Sequence, residues 1–222
     1  MKCKILILIG GIFSLFSCNK KRMDFKFCYD SCLANESICF IMENNSDKKY
    51  IYYLPSSISD EGWGYYTGTK IIINDSDGQE PKVSGPIYLD KLFLNEKEMN
   101  EFILNEKKDS LLWINLLNKG MNIDYYWVKS YRAMQKNKFF VGPNEKNKFF
   151  KKIVFFKKQL KESGTYYTFD KNKKYFIQVE MEFDSTRIKE HLTPFDLDSL
   201  RKNHIKIFHG KLKTKKVPLI LE

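Results

Sequence analysis

Apolar and polar side chains alternate along much of the chain, and this alternation predicts strands. It is clearest over residues 175–183, where every odd position is apolar and three even positions carry Gln or Glu. A period of two places one face of a strand in a core and the other in water. Shorter apolar runs at 39–42 and 50–54 flank an Asn/Ser/Asp turn and predict two strands that pair with each other. Further strands are predicted at 70–73, 87–89, 149–156, 166–169, 205–210 and 217–221.

Residues 95–119 follow a different pattern, in which apolar side chains recur every three or four positions. This spacing predicts an amphipathic helix, with Asn95 as its N-cap and Gly120 as its C-terminal stop. Because the polar stretch 105–110 interrupts the pattern, the segment could form either one helix or two short helices. Short strands with frequent turns and without β-α-β alternation predict a mainly β protein, an antiparallel β-sandwich with a short helical insertion around 95–119.

The first residues have the order of a bacterial signal peptide. Lys2 and Lys4 precede an uncharged apolar run over 5–16. The twelve residues of this run would extend about 18 Å as a helix, whereas the hydrocarbon core of a bilayer is about 30 Å thick. The run is therefore predicted to be the core of a signal peptide and not a membrane span.

The segment Leu15-Phe16-Ser17-Cys18 resembles the lipobox of bacterial lipoproteins. The resemblance implies that the Cys18 thiol takes a diacylglycerol, that the chain is cut before Cys18, and that the new amine is acylated, with palmitate as the expected acyl group. In the lipoprotein sorting rule, an aspartate directly after the lipidated cysteine retains the protein in the inner membrane. Asn19 stands at that position instead, so the outer membrane is favoured. The alternative is an ordinary secretory signal with an incidental cysteine.

The resemblance also divides the chain. It implies a lipoprotein signal peptide at 1–17, a lipidated N-terminus with its tether at 18–36, and a β-sandwich domain with a helical insertion at 37–222. The pattern of two short strands over 39–54 is similar to the opening strands of immunoglobulin-like sandwiches in many envelope lipoproteins. An immunoglobulin-like sandwich is therefore the expected body.

The chain is basic, with 38 Lys and Arg against 27 Asp and Glu and a formal net charge of +11. Lys2 and Lys4 leave with the predicted signal peptide, so the mature chain carries about +9 by the same count. Arginine occurs at only four positions, whereas proteins that read nucleic-acid bases rely on its bidentate guanidinium. With the predicted export as well, we expect no nucleic-acid partner.

Three cysteines remain in the predicted mature chain besides Cys18, namely Cys28, Cys32 and Cys39. An envelope location permits disulfides, and three thiols allow one bridge with one thiol left over. We favour a bridge between Cys28 and Cys32, because Cys39 lies in an apolar run where a free thiol packs as a small hydrophobe. No histidine lies nearby to complete a metal site, and we predict no metal and no cofactor.

Two features are candidates for binding. Trp63, Tyr65 and Tyr66 lie in a glycine-rich loop, where flat rings can stack on sugars; the alternative is that they cover the core. The segment 136–161 carries nine lysines, which could face anionic lipid headgroups. The alternative for this segment is a pair of strands whose lysines line the solvent face and protect an edge.

Motifs for catalysis are missing from the sequence. It has no Gly-x-Ser-x-Gly, no His-Glu-x-x-His and no Walker loop, and we assign no catalytic residue. The leading hypothesis is a non-enzymatic binding or structural protein of the cell envelope, held to the membrane by its N-terminal lipid and binding a glycan or a protein. The alternatives are an enzyme acting on envelope glycan and an immunity or inhibitor lipoprotein directed against a toxin.

Overall fold

A computed structural model of the chain shows a fold with more strand than helix, in which most strand pairs are antiparallel. This confirms the predicted mainly β class with antiparallel sheets. The predicted signal peptide, Cys18, Trp63, Tyr65 and Tyr66 lie outside the described residues. The structure describes residues 23–34, 37–55, 67–87, 95–152 and 164–221, except for the side chains of 83–87, 152 and 164–166.

Thirteen strands are present in the described ranges. They are β1 (Met23–Phe27), β2 (Cys32–Leu33), β3 (Ser37–Asn44), β4 (Lys49–Tyr53), β5 (Thr67–Asp75), β6 (Lys82–Ile87), β7 (Lys138–Val141), β8 (Lys146–Lys152), β9 (Gly164–Thr168), β10 (Tyr175–Phe183), β11 (Ile205–Ile207), β12 (Gly210–Lys213) and β13 (Val217–Ile220).

The predicted helical segment is one continuous helix with both predicted ends. Asn95 is its N-cap, and Gly120 follows it with a φ of +81°, a conformation that favours glycine. The sequence pattern does not predict the other three helices of the described residues. The helices are α1 (Glu96–Asn118), α2 (Tyr125–Lys136), α3 (Ser185–Glu190) and α4 (Pro194–Lys202).

Strand β10 is the centre of the largest sheet. β5 pairs with it along its full length, from Tyr175 opposite Asp75 to Phe183 opposite Thr67. The other edge of β10 pairs first with β13 and then with β12. The odd positions of β10 are buried and the even positions are half-buried, as the sequence predicts. Among the described strands, only the short pairs β4–β11 and β2–β13 are parallel.

Two neighbouring strands turn a corner from one sheet into the next. β3 pairs with β1 and β8, whereas β4 pairs with β7 and β11, so the prediction that 39–42 and 50–54 pair with each other is wrong. The fully buried Asn44 holds this corner. Its amide donates to the carbonyls of Lys48 at 2.6 Å and Gly142 at 2.8 Å, and its oxygen accepts from the N–H of Ser46 at 3.0 Å. The hydrogen bond from Asn44 to Gly142 joins the end of β3 to the end of β7, and β4 pairs with β7 rather than with β3.

The sheets enclose a main core rich in aromatic rings. The ring centroid of Phe40 lies 5.3 Å from that of Phe25 and 5.4 Å from that of Phe149, and the inward side chains of β10 pack into the same core. A second core covers the other face of β4, where Ile51 and Tyr53 pack against the helices. β4 is therefore buried on both faces, which explains why its run is continuously apolar.

Candidate functional site

The helical hairpin of α1 and α2 carries the most unusual surface of the described structure. α1 begins with a capping box: the Asn95 side chain accepts from the N–H of Glu98 at 2.9 Å, and the Glu98 carboxylate accepts from the N–H of Asn95 at 3.0 Å. At the start of α2, the carboxylate of Asp124 accepts from the N–H of Trp127 at 2.7 Å. Both helices thus have a side-chain cap at the N-terminus.

Polar side chains join α1 to α2. Arg132 of α2 pairs with the buried carboxylate of Asp109 and donates to the carbonyl of Asn105 at 3.1 Å. Trp113 of α1 donates from its indole N–H to the carbonyl of Ile123 at 3.0 Å. The contact between α1 and α2 therefore contains an ion pair and hydrogen bonds.

A second polar cluster is centred on Glu106 of α1. Its carboxylate pairs with the Lys129 ammonium at 2.8 Å and accepts from the Tyr125 hydroxyl at 2.9 Å. These two donors hold the pKa of Glu106 below its ordinary value, and the contact with Glu106 raises the pKa of Lys129. The polar stretch 105–110 therefore does not interrupt the helix, because its charged side chains find partners on α2.

The rest of the α1 surface exposes apolar side chains. Only Asp109 and Leu116 of the helix are buried, while seven large apolar residues of α1 are between 39% and 59% exposed. At about 100° per residue, six of them fall within an arc of about 140°, which also contains the exposed Lys107. We call these six the apolar face of α1: Met99, Ile103, Leu104, Leu111, Ile114 and Leu117.

A surface helix usually buries its apolar stripe and exposes its charges. α1 instead exposes most of its large apolar side chains, and exposed apolar patches mark interaction sites in soluble domains. The charges of the helix also differ from those of the chain as a whole. Glu96, Glu98 and Glu101 outweigh Lys97 in the first turns of α1, although the whole chain carries +11. The surface is therefore apolar with an acidic end.

The predicted bridge between Cys28 and Cys32 is wrong. The disulfide joins Cys28 to Cys39, with their Cα atoms 5.3 Å apart. β1 pairs with β3 so that Phe27 lies opposite Phe40, and the next residues along each strand are the two bonded cysteines. The N–H of Cys28 also donates to the carbonyl of Cys39 at 3.0 Å. Cys32 is the free thiol; it is buried, and burial raises its pKa to about 12.

The lysine-rich segment does not form one continuous cationic face in the part that the structure describes. β7 and β8 pair with different strands, and the Lys146 ammonium lies 3.5 Å from the carboxylate of Glu43. Lys151 is half-buried, donates to the Asn137 side chain at 3.3 Å, and has its pKa lowered by burial. Residues 153–163 lie outside the described ranges.

Asp184, Ser185 and His209 come together, a set of residue types that serves catalysis in hydrolases. The Ser185 hydroxyl lies 3.4 Å from Nδ1 of His209, and the Ser185 N–H donates to the same nitrogen at 3.2 Å. The Asp184 carboxylate is 4.0 Å from that nitrogen as well. A catalytic relay needs the serine and the acid on different ring nitrogens. The contact thus connects the start of α3 to the loop after β11.

Other predicted features can be placed only in part. Cys18 and the aromatic residues Trp63, Tyr65 and Tyr66 lie outside the described residues, so the structure does not bring them to any site. The described side chains contain no group of three or more His, Cys, Asp or Glu placed to hold a metal ion. None of the four described helices is apolar over enough residues to span a bilayer.

Comparison of the chain with protein-family models, with curated proteins and with solved structures finds no match.

Proposed function

We propose that the protein is a lipid-anchored, non-enzymatic binding module of the cell envelope, and that the apolar face of α1 binds a protein partner. The membrane address follows from the likeness of Leu15-Phe16-Ser17-Cys18 to a lipobox, with Asn19 favouring the outer membrane. Several acyl chains at Cys18 would hold the chain stably, because one chain binds a membrane only marginally.

The observation that carries the binding proposal is the rotation of α1. Its ion pairs are made with α2, and the six large apolar side chains of its apolar face are exposed. A partner that covered them would gain about 25 cal/mol for each Å² of apolar surface removed from water. The binding free energy gained at this face therefore depends on how much apolar surface the partner itself contributes.

The charges of α1 specify the chemistry of that occupant. Glu96, Glu98 and Glu101 make the start of the helix acidic. This is unfavourable against an anionic lipid surface and complementary to a protein with basic residues beside an apolar helix or groove. The proposed partner is therefore a protein segment of that composition.

The buried carboxylates support a binding role over a catalytic one. Asp109 pairs with Arg132, and Asp75 pairs with Lys173. Each of these acids already has a positive partner within the fold. In a catalytic pair, by contrast, one acid would have a raised pKa to serve as proton donor.

We also propose that the sheets form an immunoglobulin-like sandwich. The support is the main core, where Phe25 and Phe40 from one sheet and Val179 from another are buried together. The parallel pairing of β2 with β13 is a departure from an all-antiparallel sandwich. An experimental structure would test the proposal, since a chain path that cannot be superposed on the immunoglobulin strand order would contradict it.

Metabolic labelling with an alkyne analogue of palmitate tests the anchor. We expect label on the wild-type protein in the membrane fraction, and loss of both label and membrane association in Cys18→Ala. The matched control is Cys32→Ala, which removes a buried thiol and should keep both. An unlabelled wild-type protein would overturn the anchor.

Photocross-linking in cells tests the binding face. We expect a benzophenone side chain in place of Ile114 to give a defined adduct, and the same group in place of Lys119 to give none. Lys119 is exposed, caps the C-terminus of α1 away from its acidic start, and lies about 140° round the helix from Ile114. The further change Ile103→Asp should remove the adduct formed at position 114. Equal adducts at both positions, or none at 114, would refute the assignment of the face.

A further inference from the structure

We infer that the outer face of the main sheet carries a second site, a groove that binds a free amphiphilic anion with a long acyl chain. The groove has a volume of about 660 Å³ and lies where β10 meets β13, beneath the turn that precedes β10. Its lining includes Lys171, Lys174, Phe176, Pro218 and Ile220. None of these residues belongs to the α1–α2 hairpin.

The floor of the groove is an apolar patch at one end of a sheet face whose other end is charged. Farther along β10, Glu180 and Glu182 point outward and pair with lysines of β12. At the start of the strand, Phe176 lies opposite Pro218. Pro218 and Ile220 are both exposed and two residues apart on β13, so they share this face.

The strand pairing explains why a groove opens here. β2 pairs with β13 only at Leu219 and Ile220. Pro218 has no N–H to offer a neighbouring strand, and the described structure places no strand beside it on that edge. The surface is therefore concave, which suits a single bound molecule better than the flat plane of a bilayer.

The turn above the floor is held in place by four contacts. Asp170 accepts from the N–H of Asn172 at 2.9 Å through its side chain and from the N–H of Lys173 at 3.1 Å through its carbonyl. The N–H of Asp170 donates to the Tyr175 hydroxyl at 3.1 Å. Lys173 pairs with the buried Asp75. The Lys173 ammonium thus already has an ion-pair partner within the fold.

Lys171 and Lys174, by contrast, have no ion-pair partner among the described residues, although the fixed turn places both at the groove. Two positive charges at the rim and an apolar floor fit one ligand chemistry, an anionic head with an acyl chain. Because the turn is already ordered, little backbone conformational entropy is lost when the head binds. A long-chain carboxylate has this chemistry.

Equilibrium dialysis of the purified protein against palmitate tests the site. We expect saturable binding that weakens about tenfold in the double variant Lys171→Glu/Lys174→Glu. The matched control, Lys215→Glu/Lys216→Glu, reverses two exposed lysines in the turn between β12 and β13 and should leave the affinity unchanged. Unchanged affinity in the first variant would overturn the site.

Further ligands separate the two parts of the recognition. Palmitate methyl ester should bind more weakly than palmitate, and acetate should not bind measurably. Ile220→Asp should weaken palmitate binding without changing the circular dichroism of the protein, because Ile220 is 45% exposed. Equal binding of the ester would show simple apolar adsorption. Tighter binding to phosphatidylglycerol vesicles than to palmitate would show a membrane surface as the ligand, and either result contradicts the inference.

Discussion

Removing the disulfide tests the register of β1 and β3 and the assignment of the free thiol together. Cys28 and Cys39 are separated by 11 residues along the chain. In the chain-entropy account, closing a loop of that length lowers the entropy of the unfolded state enough to stabilise the fold by about 3 kcal/mol. The double variant Cys28→Ala/Cys39→Ala is therefore expected to lose about 3 kcal/mol in its free energy of unfolding.

Urea unfolding at neutral pH, followed by far-ultraviolet circular dichroism, measures this loss. Reduction of the wild-type protein should produce a loss of similar size, while reduction of the double variant should have no effect. Cys32→Ala is the control, because it removes the remaining buried thiol and should keep the reduction-sensitive stabilisation.

The competing bridge between Cys28 and Cys32 would close a loop of four residues and contribute about 2 kcal/mol. It also predicts a different response to the control variant, since Cys32→Ala would then abolish the effect of reduction. That result, or a peptide map of the oxidised protein with Cys28 joined to Cys32, would refute the strand register. The folded wild type should alkylate slowly at Cys32, because the raised pKa keeps this thiol protonated at neutral pH.

Three further predictions concern side chains that hold the fold. Asn44→Ala should cost about 3 kcal/mol in urea unfolding, because it leaves buried carbonyls at the corner unpaired, whereas Ala at the exposed Asp47 should be silent. Tyr52→Phe should leave stability unchanged or raise it by about 1 kcal/mol, because the buried Tyr52 hydroxyl has no hydrogen-bond partner in the described structure; a clear loss would reveal one. The hydrogen bond from Lys173, and then those from backbone N–H groups, lower the pKa of Asp75. The ionised Asp75 therefore stabilises the fold fully at a pH above its unfolded-state pKa, and this stabilisation disappears as the pH falls through its folded-state pKa. The stability curves of wild type and Asp75→Asn should therefore converge in acid, and curves that stay parallel would contradict this.

The elements that local pattern predicts correctly are those whose partners agree with the pattern. β10 alternates because one of its faces lies in the core and the other carries Glu180 and Glu182 to lysines of β12. α1 has the ends predicted from Asn95 and Gly120 because caps act within one turn of the chain. In both cases the deciding contacts are local or follow from burial alone.

The features that the local sequence pattern does not predict depend on contacts between distant parts of the chain. The pairing of Cys28 with Cys39 requires the register of β1 on β3, and the separation of β3 from β4 requires Asn44 to reach Gly142. α4 is different, because a local sequence motif marks its N-terminus. Thr193 and Asp196 form a capping box with Pro194 at the first helical position, and this combination is readable in the sequence.

The apolar face of α1 shows most clearly why the exposure of one side of a helix is not predicted by periodicity. The recurrence of apolar residues predicts a helix with an apolar side, and the usual assumption is that this side faces inward. In the structure, Glu106 and Asp109 face inward instead, because Lys129 and Arg132 of α2 lie opposite them. Rotating α1 to bury its apolar face would separate both ion pairs and leave Arg132 opposite apolar side chains. The rotation of α1 is therefore fixed by charges on α2, and the exposure of its apolar face follows from that.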